Sequence, residues 1–246
     1  MKSRESLVHG LVNLSVTLAA LVLATALQAQ TPGKAEVRAI SGTPTYSTAG
    51  GKAAPLKVGT VLYSGSTIKT GTGSTVDLFL GNSAGVVRVA ENSTLGLDKL
   101  ALTETGADTV VEVQLHLPEG TILGNVKKLS AASKYEIKVP NGVAGIRGTE
   151  YRINASAYVV LLNGSMIMVY VPQNGNPTPY PLFAPPAQYF SPVEGVKPAP
   201  NELVAEVREQ LGRPNFQPPG PPPGFFANPN VFVEPGTGHA PSRTTP

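Results

Sequence analysis

The chain has 246 residues, enough for one or two domains, and 19 basic against 16 acidic side chains give it a formal net charge of +3. That excess is scattered, which excludes the clustered basic patch that nucleic acid requires. There is no cysteine, which excludes disulfides, Cys-ligated zinc, iron–sulfur clusters and thiol nucleophiles.

Residues 1–29 predict a secretory signal peptide. Lys2 and Arg4 make a positive end, Leu11 to Leu27 is mostly Leu, Val, Ala and Thr, and "ATALQAQ" supplies small residues with Ala29 last before cleavage. The alternative is an uncleaved anchor, since the run is about as long as the shortest membrane-spanning helices; Asn13, Ser15 and Thr17 dilute it. Membrane attachment, if any, is expected through this segment alone. The expected location is the periplasm or cell envelope, with secretion as the other outcome of export.

Residues 35–171 predict an all-β domain. "TVDLFL", "VVRVA", "TLGLDKL", "VVEVQLHL", "TILGNV" and "YEIKV" are short runs separated by the turns "GNSAG", "ENS", "PEG" and "NG". Val111, Val113, Leu115 and Leu117 alternate with Glu112, Gln114 and His116, as a half-buried strand requires. Strands at roughly ten-residue spacing with almost no helical periodicity indicate a sandwich, barrel or solenoid. "LLNGSMIMVYV" predicts a closing hairpin with Asn163-Gly164 as its type I′ turn. Met166 and Met168 beside it read as core filler.

Residues 172–246 hold 19 of the 24 prolines. Proline lacks a backbone donor, so this tail is expected to be largely disordered rather than a packed sheet, with "QPPGPPPGFF" as polyproline II or linker. One helix is expected over 202–211. Asn201 caps it, Gly212 stops it, and Leu203, Val207 and Leu211 share a face for docking on the domain or on a partner.

No catalytic set is visible. His9, His116 and His239 are far apart in sequence, no His pair has metal-ligand spacing, and Asp77, Glu91, Asp98 and Glu119 read as solvated turn or strand positions. A carboxylate pair brought together only in three dimensions is the route by which a hydrolase could hide here. No cofactor is expected.

The stretch that stands out is "VPNGVAGIRGTEYRI", Val139 to Ile153, with Gly142, Gly145 and Gly148 three apart and Arg147 among them. A phosphate loop would open onto a helix and carry Gly-Lys-Ser/Thr; this one continues into the alternating "TEYRINASAYVVLL". Two readings stand. In the first it is a corner: glycines supply unusual φ, Arg147 folds across onto carbonyls or Glu150, and Thr149 satisfies a backbone group. In the second, Arg147 grips an acidic group on a partner or ligand. Pro140, Gly142, Gly145, Arg147, Gly148 and Thr149 are the candidate residues either way.

This stretch resembles the signature of FecR-type domains, in which an extended segment ends in Pro, a Gly/Ala/Val turn follows, and Arg-Gly-Thr leads into an aromatic strand. "VGTVLYSGSTIKTGTGSTVDLFLGNSAGVVRVAENSTLGL" and "LHLPEGTILGNVKKLSAASKYEIKVPNGVAGIRGT" are similar to the family in order, and "VVLLNGSMIMV" resembles its closing segment. The resemblance covers about residues 35 to 171. It implies a twisted β-solenoid or roll and an exported, non-enzymatic sensing or protein-interaction module with an envelope protein as partner. Only "MKSRESLVHG" precedes the apolar run, too short for a folded cytoplasmic anti-sigma segment, so a separate output partner is expected. The alternative is a structural or glycan-binding surface module, with Tyr46, Tyr63, Tyr135, Tyr151 and Tyr158 stacking on sugars.

Overall fold

The structure, a computed structural model, describes residues 31–104 and 109–212. The signal segment, His9, His239 and the "QPPGPPPGFF" run lie outside the described residues. The first strands are β1 (Thr31–Pro32), β2 (Ala35–Ser41), β3 (Thr45–Ser47), β4 (Ala54–Pro55), β5 (Val61–Leu62), β6 (Ser66–Lys69), β7 (Thr75–Phe79), β8 (Val86–Val89) and β9 (Thr94–Glu104). There follow β10 (Thr109–Glu119), β11 (Thr121–Asn125), β12 (Lys134–Val139), β13 (Gly142–Ile146), β14 (Glu150–Asn154), β15 (Val159–Tyr170), β16 (Thr178–Ala184), β17 (Gln188–Ser191) and β18 (Gly195–Pro198), and then one helix, α1 (Asn201–Leu211).

The strands pair into two open sheets. The front sheet runs β4-β3-β6-β9-β10-β12-β13-β15-β16, with β1 against the far half of β9. The back sheet runs β5-β2-β7-β8-β11-β14-β15-β17-β18. Among the described residues only β15 belongs to both, so the pairings close no ring. All neighbours are antiparallel except β10 and β12. The chain crosses repeatedly between front and back, which is the roll expected of residues 35–171.

Period-two alternation builds the core between the sheets. Val111, Val113, Leu115 and Leu117 on β10 and Tyr135, Ile137 and Val139 on β12 point inward and are buried, as are Met166 and Met168 on β15. They meet Val76, Leu78, Val87, Val89, Ile122, Tyr151, Ile153 and Leu161 of the back sheet. The Tyr151 ring lies over Gly124, where a Cβ would come within 2.2 Å of its Cζ. Glycine is what lets the largest core side chain sit flat on the sheet.

Two expectations change at the C-terminal side. Asn163-Gly164 is not a hairpin turn: β15 runs straight through it. A register shift against β14 lets the strand leave the back sheet and join the front one. Gly164 has φ of +89°, and a Cβ there would meet the Gly148 carbonyl oxygen at 1.8 Å. The glycine serves a crossover where two backbones touch, with the geometry of a bulge.

Residues 178–198, expected to be outside any sheet, form β16, β17 and β18. β16 bonds to β15 on one side only. Its Phe183 N–H turns away from β15 to donate to Gln188 Oε1 at 2.8 Å. Pro179 and Pro181 share that outward parity, so the nitrogens without hydrogen face the open edge. Proline is compatible with a strand in that position.

Helix α1 docks on the outer face of the back sheet. Val204 and Val207 are buried against Val86, Leu123, Val160 and Leu162, with Leu203 and Leu211 partly buried beside them. Asn201 is its first helical residue and not its cap; Pro200 precedes it, and no side chain caps the end. Gly212 ends the helix in a right-handed conformation, donating to the Arg208 carbonyl.

Candidate functional site

The stretch from Val139 to Ile153 is not one loop. Pro140 and Asn141 form the turn joining β12 to β13, Gly142–Ile146 is a strand, and Arg147-Gly148-Thr149 is a second corner leading into β14. The length of that strand, about 13 Å at the strand rise, therefore separates Pro140 and Gly142 from Gly148 and Thr149. The three glycines do different work. A Cβ on Gly142 would strike the Val169 carbonyl oxygen at 2.4 Å and Met168 Cε at 2.7 Å. Gly148 has φ of +76° and packs on the Lys128 backbone. At Gly145 the nearest atom is 3.9 Å away, so the space is open.

The corner is held by backbone groups. Arg147 N donates to the Ser165 carbonyl at 3.1 Å and Val126 N to the Thr149 carbonyl at 2.9 Å. Thr149 is buried, but among the described residues its hydroxyl finds no hydrogen-bond partner, contrary to the expected role. The Arg147 guanidinium is exposed, and its one hydrogen bond among the described residues is Nη1 to the Ala131 carbonyl at 3.5 Å. Glu150 instead accepts from Asn125 Nδ2 at 3.4 Å. Arg147 thus lies on the corner without bridging it.

The cross-strand register places Arg147 at the end of an outward-facing surface. On β12, Lys138 and Glu136 sit opposite Val143 and Gly145 of β13. These face Val169 and Ile167 of β15, which face Pro179 and Pro181 of β16; Ser165 faces Phe183. Ile167 and Phe183 are 50% and 60% exposed. Between Glu136 and Ile167 the missing side chain of Gly145 leaves a groove of about 410 Å³, lined by Lys134, Glu136, Gly145, Arg147, Ile167 and Phe183. Three lysines of the front sheet have partners: Lys134 with Glu136 at 3.2 Å, Lys138 with Asp98 at 3.3 Å, and Lys99 with Glu112 at 2.6 Å. Among the described residues no carboxylate pairs with Arg147.

The back face has the larger cleft, about 710 Å³, beside the end of α1. Its cations are committed. Asp77, expected to be solvated, is buried and takes Arg88 in a bidentate pair, Nε to Oδ1 at 2.6 Å and Nη2 to Oδ2 at 2.7 Å. The third nitrogen of Arg88 donates to the Gln210 carbonyl at the helix end, and Arg152 Nη1 pairs with Glu206 of α1 at 2.7 Å. The alternation in "TVDLF" set Asp77 opposite Val76 and Leu78, which is why it read as a surface residue.

Of the tyrosines offered for sugar stacking, Tyr135 and Tyr151 are in the core. Their hydroxyls are neighbours without a well-formed hydrogen bond, and burial pushes both phenols above the usual range; for Tyr151 the charge of Tyr135 adds to the rise. Tyr158 stacks on Tyr189 at 5.6 Å. Tyr63 is exposed and Tyr46 half-buried. The five do not form one platform.

The family model described as "FecR protein" matches residues 66–166, from β6 to the middle of β15. Over that span the chain carries a FecR-type domain. That match supports a sensing or signal-transduction module that acts through protein–protein interaction. A crystal structure of a candidate anti-sigma factor from Parabacteroides distasonis is similar over 59% of this chain and 65% of that chain, with 12% identity and a TM-score of 0.41. The similarity thus spans less than two thirds of that protein. No curated protein matches the sequence.

Proposed function

We propose that this chain is an exported, non-enzymatic FecR-type module that receives a signal by binding another protein of the cell envelope. The observation that carries the reading is the FecR match over residues 66–166. The basic, apolar, small-residue order of residues 1–29 supports export, with the mature chain starting at Gln30. No helix among the described residues is long and apolar enough to cross a membrane. Strands β16 to β18 and α1, outside the matched span, complete the two sheets and make the unit larger than the matched domain.

The test is fractionation of the native host followed by N-terminal sequencing and envelope cross-linking of the full protein. The expected result is a chain that starts at Gln30 in the envelope fraction and cross-links to a discrete protein there. A chain that stays in the cytoplasm with residues 1–29 attached would overturn the export reading. An exported chain with no protein neighbour would overturn the interaction reading.

A further inference from the structure

We infer that the outer face of the front sheet, from Arg147 across Gly145 and Ile167 to Phe183, is the docking surface for a segment of another protein that sets a carboxylate against Arg147 and apolar side chains into the groove. The inference rests on the proposed protein-binding role and assigns it a surface and a partner chemistry.

Strand β15 supplies the first argument. Its first part, Val159 to Leu162, is apolar at every position and buried on both faces, because the core lies on one side and α1 on the other. Its last part, Met166 to Tyr170, is again apolar at every position. There Met166 and Met168 fill the core while Ile167 is exposed and Val169 only half-buried. A strand with one wet face reads apolar-in, polar-out; continuous apolar sequence belongs to strands covered on both sides. The surface around Ile167 thus has the composition of a covered face. The neighbouring strands continue it with Val143, Pro179, Pro181 and Phe183. Clustered apolar exposure of this kind marks interaction sites, whereas scattered apolar residues do not.

Charge decides the partner. Lys134 and Lys138 are neutralised locally, so Arg147 leaves the groove one positive charge in excess. A planar guanidinium on an exposed rim favours a carboxylate, which it binds with two parallel hydrogen bonds. A second copy would bring the same cationic excess to the same place, since a two-fold interface sets a patch against itself. The cleft on the back face does not compete for an acidic group, because Arg88 and Arg152 are already held by Asp77 and Glu206.

The edge fixes the binding mode. A strand added to β16 needs outward N–H donors. Two of the three outward positions are Pro179 and Pro181, and the third, Phe183 N–H, is taken by Gln188. Strand addition is blocked there, so the partner lies across the face and is recognised by side chains.

The test places a photo-reactive phenylalanine analogue at position 167 or 183 of the full chain in its native host, with positions 58 and 63 as exposed sites elsewhere. The cross-linked peptides are then sequenced. Positions 167 and 183 are expected to reach one segment of a second protein, rich in apolar residues and containing Asp or Glu. Arg147→Glu should lower the yield about tenfold or more, and Gly145→Leu, which fills the groove from a position with open space, should abolish it. Both variants should melt with the wild type. Cross-links to a second copy, to residues 213–246, or to a segment without Asp or Glu would overturn the inference. So would yields that ignore Arg147→Glu and Gly145→Leu. Capture from 58 or 63 but not from 167 or 183 would overturn this surface and leave protein binding intact, whereas no capture from any position would end both.

Discussion

Helix α1 covers one outer face of this roll and leaves the other uncovered. On the back sheet, Val86, Leu123, Val160 and Leu162 are sealed by Val204 and Val207, and the cations around them are tied to Asp77 and Glu206. On the front sheet, Ile167 and Phe183 stay exposed and Arg147 keeps only a long contact to a carbonyl. Both faces are built from similar side chains, and β15 contributes to both. Apolar residues under a helix stabilise the molecule. The same residues left open are available to a partner. Substitutions should therefore separate into changes in stability on the back face and changes in binding on the front.

The largest effect is expected at Asp77. Its pair with Arg88 is buried and bidentate, so Asp77→Ala strands a guanidinium and should cost about 3–5 kcal/mol in chemical denaturation. The double variant Asp77→Leu/Arg88→Met should recover much of that loss. If Asp77→Ala unfolds like the wild type, the back face is not held the way its geometry indicates. Next comes the crossover that makes the two faces share a strand. Gly164→Ala requires a left-handed conformation and a contact with the Gly148 carbonyl that no Cβ tolerates, and should cost roughly 2–3 kcal/mol. Smaller again, Val207→Ala opens a gap under α1 and should cost about 1–2 kcal/mol. Limited proteolysis near Pro200 should register the loosened helix.

These residues also show what the sequence could and could not disclose. Alternation over "VVEVQLHL" and "YEIKV" named the inward side chains, because the period of two is set by the backbone itself. The FecR-type order was legible in its glycines and turns. Asn163-Gly164 misled because the dipeptide that favours a hairpin also suits a bulge, and which one forms depends on whether Gly148 comes to lie against it. The prolines of β16 misled in the same way: proline forbids a central strand and permits an edge, and edge position is a property of the assembled sheet. The open groove was half legible. Arg147 stood out among its glycines, but Ile167 and Phe183 join it only through cross-strand register. The clue was "MIMVYV", too apolar for a strand with one wet face.

The core between the faces should answer to alkali. Burial raises the Tyr135 and Tyr151 phenols above the ordinary value of about 10. The folded state then holds protons that the unfolded chain releases. Stability from this source is complete below pH about 10 and is lost as the pH rises beyond it. Tyr135→Phe removes a buried hydroxyl with no well-formed hydrogen bond, so it should be neutral or stabilising by up to about 1 kcal/mol at pH 7. It should also lose less stability than the wild type in melts taken above pH about 10.

The smallest expected effect on stability sharpens the comparison most. Arg147 is exposed, its backbone already secures the corner through Ser165, and its guanidinium reaches one carbonyl at 3.5 Å. Arg147→Gln should therefore shift the unfolding free energy by less than about 0.5 kcal/mol. A corner bridge of the kind its sequence neighbours suggest would instead leave buried acceptors unpaired and cost on the order of 2–4 kcal/mol. Thermal melting of Arg147→Gln beside Asp77→Ala compares the two arginine environments in one experiment. An unmoved melt for Arg147→Gln removes this side chain from the supports of the fold and leaves it available for binding, and an early melt would return it to the fold.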